Sequence, residues 1–418
     1  MLQKCMLSLS KKKPILKHRF SKKNEMDQFT FTDNAKKIFL GMILIGILAI
    51  VYGVVDSDIS GHRIWVSALI NGWFFFGIAI IGTFFLAVNS AAQAAWGVVM
   101  QRVFEAVSLF VPIGALLLIL VFLASTFHLN HIYHWMDPEA AAHDPIIAGK
   151  RAYLNLPFWW TRALIFLGVW TGITLWFRKK SLREDAEGGT KWYKKSMMMS
   201  AIFLVFFGFT SMVASWDWLM SIDVHWFSTL YGWYVFSGIW ISGMVTVILL
   251  INWLKSRGYL PNVNASHIHD MGKWIFAISF LWTYLFFSQF MLIWYSNIPE
   301  EVAYFIPRMQ DYTIPFWGMV MVNFVVPMLF LMSKTTKRNR KLLSIVSVII
   351  FFGHWLDVYF LVTPGTMQNN GSVGFVELGM MIGYLGLFLF VVFRALAQAP
   401  LTVRNHPLME ESLHHHIN

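Results

Sequence analysis

Residues 64–88 read IWVSALINGWFFFGIAIIGTFFLAV, a run without a single charged side chain. At 1.5 Å of rise per residue a helix of this length outreaches the ~30 Å hydrocarbon core of a bilayer. Lipid offers backbone groups no hydrogen bonds, so only helices and closed barrels span it. Barrel strands need about nine to eleven residues, far fewer than this run supplies. Similar runs recur at 36–55, 97–125, 157–177, 197–220, 228–254, 272–296, 312–333, 342–362 and 373–396. The expected fold class is therefore all-α integral membrane, with ten transmembrane helices.

The rest of the 418-residue chain agrees. Apolar residues make up 57%, aromatics 17% and charged residues only 13%, about half the usual quarter. Too few charges remain to cover a soluble globule, and disordered and coiled-coil classes fall with it. The single cysteine, Cys5, excludes a disulfide framework and a cysteine-ligated cluster within the chain.

The 33 Lys and Arg against 22 Asp and Glu give a net charge of +11, and its placement speaks for orientation rather than nucleic acid. The arm through Lys37 holds ten basic residues, the loop 178–195 seven and the loop 334–341 five. Lys255, Arg257, Lys273, Arg394 and Arg404 fall on that same side; the opposite side has Arg63, Lys150, Arg151 and Arg308. Basic loops stay in the cytoplasm, so both termini are expected inside, with an acidic outer face. The domain reading is a basic arm over 1–35, a ten-helix domain over 36–396 and a cytoplasmic tail over 397–418. The arm, with Lys11 to Lys13 and Lys17 to Lys23, lacks the apolar stretch of a signal peptide, and Met26 offers an alternative start.

Short motifs recur in order. Pro157-Phe158-Trp159 matches Pro315-Phe316-Trp317, Asp137-Pro138-Glu139 matches Ile298-Pro299-Glu300, and Phe206-Phe207-Gly208 matches Phe351-Phe352-Gly353. The offset of four spans preserves direction, so the expectation is a parallel repeat about the membrane normal. It would comprise two four-helix bundles, spans two to five (about 64–220) and six to nine (about 228–362), flanked by spans one and ten.

Ionisable residues within spans cost about 2.5–3.5 kcal/mol each on insertion scales and are candidates for function. Arg102 and Glu105 lie three apart near the cytoplasmic end of the third span, as a self-neutralising pair or the mouth of a proton path. His354 and Asp357, also three apart near the middle of the ninth span, can cycle protons near neutral pH. Asp217, Asp223, His225, Arg162 and Glu377 lie toward the outer face, with helix capping as the alternative for Asp223. Together they form a candidate proton path. His128, His131, His134 and His143 lack a closed metal-ligand spacing, and only His354 lies deep enough for a haem ligand. No Walker, Rossmann or cysteine-cluster pattern occurs, so no catalytic, cofactor or metal ligand is assigned within this chain.

The segment SWDWLMSIDVHWFSTLYG at 215–232 resembles a hallmark of the F subunit of bacterial alternative complex III, a quinol:cytochrome c oxidoreductase. That subunit is one of the NrfD-like membrane anchors, the polysulfide reductase type. The Pro-Phe-Trp helix starts, ten spans and cytoplasmic termini agree, over about residues 36–400. The resemblance implies a multi-pass subunit of a respiratory electron-transport complex in the bacterial inner membrane. Its implied partners are a multihaem cytochrome c, an iron–sulfur subunit, a monohaem cytochrome c, a sister NrfD-like subunit and small membrane subunits. Haem c and iron–sulfur clusters would belong to those partners, with quinol oxidised in the sister subunit. This chain would supply a proton path, a quinone pocket or both. A secondary transporter and a purely structural anchor are the rival readings.

Overall fold

The computed structural model describes residues 28–55 and 61–416. The readings on Cys5, Met26 and the basic arm before residue 28 lie outside them, as do Asp56 and Asp58. Ten helices are long and apolar enough to cross a membrane. They are α1 (Asp33–Val55), α2 (Gly61–Ala91), α3 (Val98–Thr126), α4 (Leu156–Glu187) and α5 (Lys191–Ile222), then α6 (Leu230–Ser256), α7 (Ala265–Ser296), α8 (Thr313–Leu331), α9 (Arg340–Asn370) and α10 (Phe375–Ala397). No strand occurs among the described residues. The chain is a multi-pass helical membrane protein.

Polar residues at the helix ends set where the helices start. Asn155 accepts from the Phe158 N–H at 3.0 Å and Pro157 follows it, opening α4. Asn264 accepts from the Ser266 and His267 N–H groups at 2.8 and 3.1 Å to open α7. Asn339 does the same for α9. Glu377 reaches back to the Gly374 N–H at 2.8 Å and caps α10. Pro327 in α8 has no N–H for the carbonyl of Asn323, and the helix widens there into one π turn, Met321–Val325.

The core sits around α2 and α6. The most apolar stretch of α2 is 89% buried, against 22% for α1. Helix α2 packs on α3, α5, α6, α9 and α10, and α6 packs on α5, α7 and α9. Helices α3, α4 and α5 adjoin one another around α2, as α7, α8 and α9 do beside α6. Lipid supplies no hydrophobic drive between helices, so close backbone approach and dispersion hold them. A Cβ on Gly243 would stand 2.5 Å from Ile81, and one on Gly77 2.7 Å from Ile239, which fixes the α2–α6 seam. The α1–α10 pair is closer still: a Cβ on Gly46 would stand 2.6 Å from the Gly383 Cα.

The recurrent motifs have unlike surroundings. Trp159 is fully buried, whereas Trp317 is exposed; Gly208 faces open space, whereas Gly353 abuts the Asn323 side chain. Gly365 lies beyond the expected end of the ninth span at 362 and is still helical. Pro364 leaves only the Phe360 carbonyl without its helical partner, and Arg308 Nε donates to it at 3.1 Å.

The even number of spans puts both ends of the helical domain on one side. That side carries the Lys- and Arg-rich loops and is called the basic face; the other is the acidic face. The tail after α10 runs along the basic face. Arg404 N–H donates to Asp185 at 2.7 Å, Val99 N–H to Ser412 Oγ at 3.3 Å, and His415 meets Asp270 at 2.6 Å.

Candidate functional site

Six carboxylates are buried among the described residues: Glu105, Glu184, Asp217, Asp270, Asp357 and Glu377. Five have a Lys or Arg within ion-pair distance, and Asp357 does not. An adjacent cation makes a carboxylate hard to protonate near neutral pH. This difference sorts the sequence candidates.

Arg102 donates to Glu105 at 2.6 Å and also meets Asp185, while Arg178 reaches Glu105 at 2.8 Å. The pair read from sequence is thus part of a larger α3–α4 network at the basic face. Helix α4 runs to Glu187, which carries Arg178 and Asp185 into that network rather than into a solvated loop.

At the acidic face Arg162 forms a fork on Asp217, Nε to Oδ2 at 2.6 Å and Nη2 to Oδ1 at 3.0 Å. The Tyr153 and Phe158 rings lie 4.0 and 4.3 Å from its guanidinium. Arg63 grips Glu377 at 2.7 and 2.8 Å, joining α2 to α10. Asp223 is not the cap of the next helix, because α6 starts seven residues later behind Thr229. Its carboxylate instead meets Arg308 Nη2 at 3.2 Å. His225 pairs with Asp144 at 2.5 Å in solvent, its side chain 59% exposed. Desolvation opposes the Asp144 charge, but the His225 ring and the Ile146 and Ile147 N–H groups outweigh it and hold that carboxyl below its ordinary value.

Asp357 occupies a different setting. It is 3% exposed and lies about 25 Å along α9 from Arg340 by helical rise, nearer the acidic face. The Tyr234 hydroxyl from α6 donates to Oδ1, and Trp282 Nε1 from α7 donates to Oδ2 at 3.0 Å. Gly238 leaves room for the carboxylate: a Cβ there would stand 3.2 Å from Oδ2. His354 Nδ1 is 3.7 Å from Oδ2, beyond hydrogen-bond range. Neither ring nitrogen of His354 has a hydrogen-bond partner among the described residues, and its ring stands edge-on to Trp282 at 5.2 Å. Two neutral donors and an imidazole surround this carboxyl.

A cavity of about 20 Å³ lies against Tyr234, the partner of Asp357, and is lined also by Gln289, Tyr304, Arg308, Phe316 and Phe360. That is room for about one water, against the ~300 Å³ or more of a typical ligand pocket. A quinone ring does not fit there. A larger cavity of about 380 Å³ opens at the acidic face between Asp144, Asp223, His225, Trp226, Glu300 and Tyr304. Ile147, Ile222 and Val224 line it beside those polar groups, and its volume falls in the ~300–1,000 Å³ range of ligand pockets.

The candidates therefore divide among separate walls. Besides the Arg102–Glu105 and Arg162–Asp217 pairs, and Asp223 with His225 at the outer cavity, Asp223, His354 and Asp357 share one neighbourhood, joined through Tyr234, Tyr304 and Arg308. The chain matches no protein-family model, and no curated protein is similar to it. Tyr234, Trp282, Tyr304, Arg308 and Asn323 escaped the sequence reading. The one usable signal was Arg308, a lone arginine in a short acidic-face loop. Among the described residues no group of three or more metal-ligating side chains occurs, the four outer-loop histidines included.

Proposed function

We propose that the chain is an integral membrane subunit of a respiratory quinol:cytochrome c oxidoreductase, and that its own chemistry is proton exchange at Asp357 with His354 beside it. The basic face would lie in the cytoplasm of the bacterial inner membrane, as charge placement argues. One observation carries the proton reading: Asp357 is the buried carboxylate held by neutral donors, where its five counterparts have cations. The resemblance of residues 215–232 to the F subunit of alternative complex III supports the setting. Quinol oxidation and the haem and iron–sulfur centres would then belong to partner subunits, as that resemblance implies.

The test is purification from native membranes with haem spectroscopy and identification of companions, followed by Asp357→Asn. Asparagine keeps the size and one acceptor oxygen, enough for the Trp282 N–H, and its NH2 can donate to the Tyr234 hydroxyl in place of the bond that Asp357 accepts, but it cannot carry a proton. The expected result is an assembled complex with lost turnover or lost proton release. Unchanged turnover and proton release would leave a structural anchor. Purification without any haem-bearing companion would favour a transporter.

A further inference from the structure

The small cavity beside Tyr234 and the large acidic-face cavity share a wall. Tyr304 lines both; Arg308 lines the inner one and Asp223 the outer one. Arg308 is 2% exposed, and its guanidinium lies 3.4 Å from the centre of the Tyr304 ring. It donates to the Tyr304 carbonyl at 2.5 Å, to the Phe360 carbonyl at 3.1 Å and to Asp223 Oδ2 at 3.2 Å. The Phe360 carbonyl is the acceptor that Pro364 frees, so one end of the guanidinium is anchored by the α9 backbone. The ring of Tyr304 stacks on Trp226 at 3.9 Å, which closes the wall from the other side. Burial pushes the Tyr304 phenol up to about 12, so it stays neutral.

Of the Arg–carboxylate pairs with a buried arginine, the Arg308 pair is the loosest: Arg162 and Arg178 hold theirs at 2.6 and 2.8 Å. Its partner Asp223 is also partly in water, 26% exposed. The positive charge is thus fixed, buried and incompletely neutralised, between Asp357 and the acidic-face water. Arginine in a narrow polar passage excludes protons and cations electrostatically.

We propose that Arg308, seated on Tyr304, is the gate of the Asp357 path: its fixed charge repels protons passing between the two cavities. The proposal rests on the proton-exchange reading given above.

The test uses the full-length chain in liposomes with a trapped pH dye and a potassium diffusion potential. The wild type is expected to be tight. Arg308→Gln should raise proton leak by about tenfold or more, one pKa unit's worth of lost repulsion. Arg308→Lys, which keeps the charge, should stay tight. Adding Asp357→Asn to Arg308→Gln should bring the leak back to the wild-type level, which a merely structural role for Arg308 would not produce. A folded Arg308→Gln protein as tight as the wild type overturns the gate, as does a leak that survives Asp357→Asn or that Arg308→Lys shares. Should Arg308→Gln not fold, Tyr304→Leu, which thins the wall, is put through the same comparison and should leak in an Asp357-dependent way. A tight Tyr304→Leu protein, or a leak that survives Asp357→Asn, counts against the gate. A tight Arg308→Gln protein beside an Asp357→Asn complex without turnover removes the gate and leaves the proton-exchange reading standing. Normal turnover in the Asp357→Asn complex removes that reading itself.

Discussion

Replacing Arg162 by Met separates a structural carboxylate from a proton-carrying one. The substitution keeps most of the volume between the Tyr153 and Phe158 rings and strands Asp217, whose side chain is 1% exposed. Two charge-assisted hydrogen bonds, at 2.6 and 3.0 Å, disappear together. Breaking a buried pair by removing one partner costs about 3–5 kcal/mol, because the other charge stays behind. Two ring contacts add about 0.5–1 kcal/mol each, so the expected loss lies at the upper end of that range. Asp217→Leu should cost a similar amount. Removing both charges together should return stability to within about 1 kcal/mol of the wild type, since a buried pair replaced by apolar groups of similar volume is often neutral. Unfolding in mixed micelles of increasing SDS fraction, followed by tryptophan fluorescence, gives all four corners of the double-mutant cycle. The assembled Arg162→Met/Asp217→Leu complex should also turn over normally. A double variant that loses the sum of the two single losses, or one that assembles and does not turn over, would refute the assignment of Asp217 to structure.

Two further outcomes follow from the packing and the tail. Burial, with Lys180 nearby, lowers His406 from 6.5 to about 4. A folded-state value below the unfolded one means that its contribution is complete above pH 6.5 and is lost as pH falls toward 4, at most about 3 kcal/mol; the protection factors of amides in the tail 398–416, referred to the intrinsic exchange rate at each pH, should fall over that window, His406→Gln should flatten the change, and constant protection factors from pH 7 to 4.5 would refute it. Gly383→Val puts a side chain against the Gly46 backbone, where a Cβ already stands 2.6 Å from its Cα, so overpacking should cost about 1–3 kcal/mol by the same micelle assay, whereas Gly208→Ala, facing open space, should be silent.

The ten spans were legible in sequence because hydropathy along a chain is one-dimensional: helix limits agree to within several residues wherever the apolar run is uninterrupted. Lateral neighbours were not, because they depend on how helices rotate about their axes. Arg308 read as a loop cation since nothing local shows that residues 299–310 form two short helices, one of which lays Arg308 against the Phe360 carbonyl of α9. Tyr234 and Trp282 were invisible for a different reason. With 13 Tyr and 20 Trp in the chain, two aromatic donors that face a carboxylate look like the rest. Asp223 stood between a proton-path role and helix capping; its geometry puts it against Arg308 and beside Gly365, where a Cβ would stand 2.7 Å from Oδ1.

A single ladder of ionisable groups across the membrane is not what the helices build. Glu105 faces α4, Asp217 faces Arg162 of the same helix, and Glu377 faces α2, each against a cation that holds its charge. A relay must be able to lose charge as well as hold it, and an arginine at 2.6–2.8 Å opposes that step. The proton exchange proposed above is thereby confined to the group around α6, α7 and α9. Toward the basic face, polar atoms near it continue along α9: Ser347 lies seven residues, two helical turns, before His354, and both are buried without a hydrogen-bond partner for Oγ or the ring nitrogens among the described residues. The Asn323 amide, equally unpartnered, is brought against Gly353 by the π turn of α8. Buried polar atoms left unpaired are costly in lipid-spanning proteins, and these three are spread over about 15 Å of α9 on the basic-face side of Asp357 by helical rise, which favours a hydrated route for the proposed exchange over packing alone.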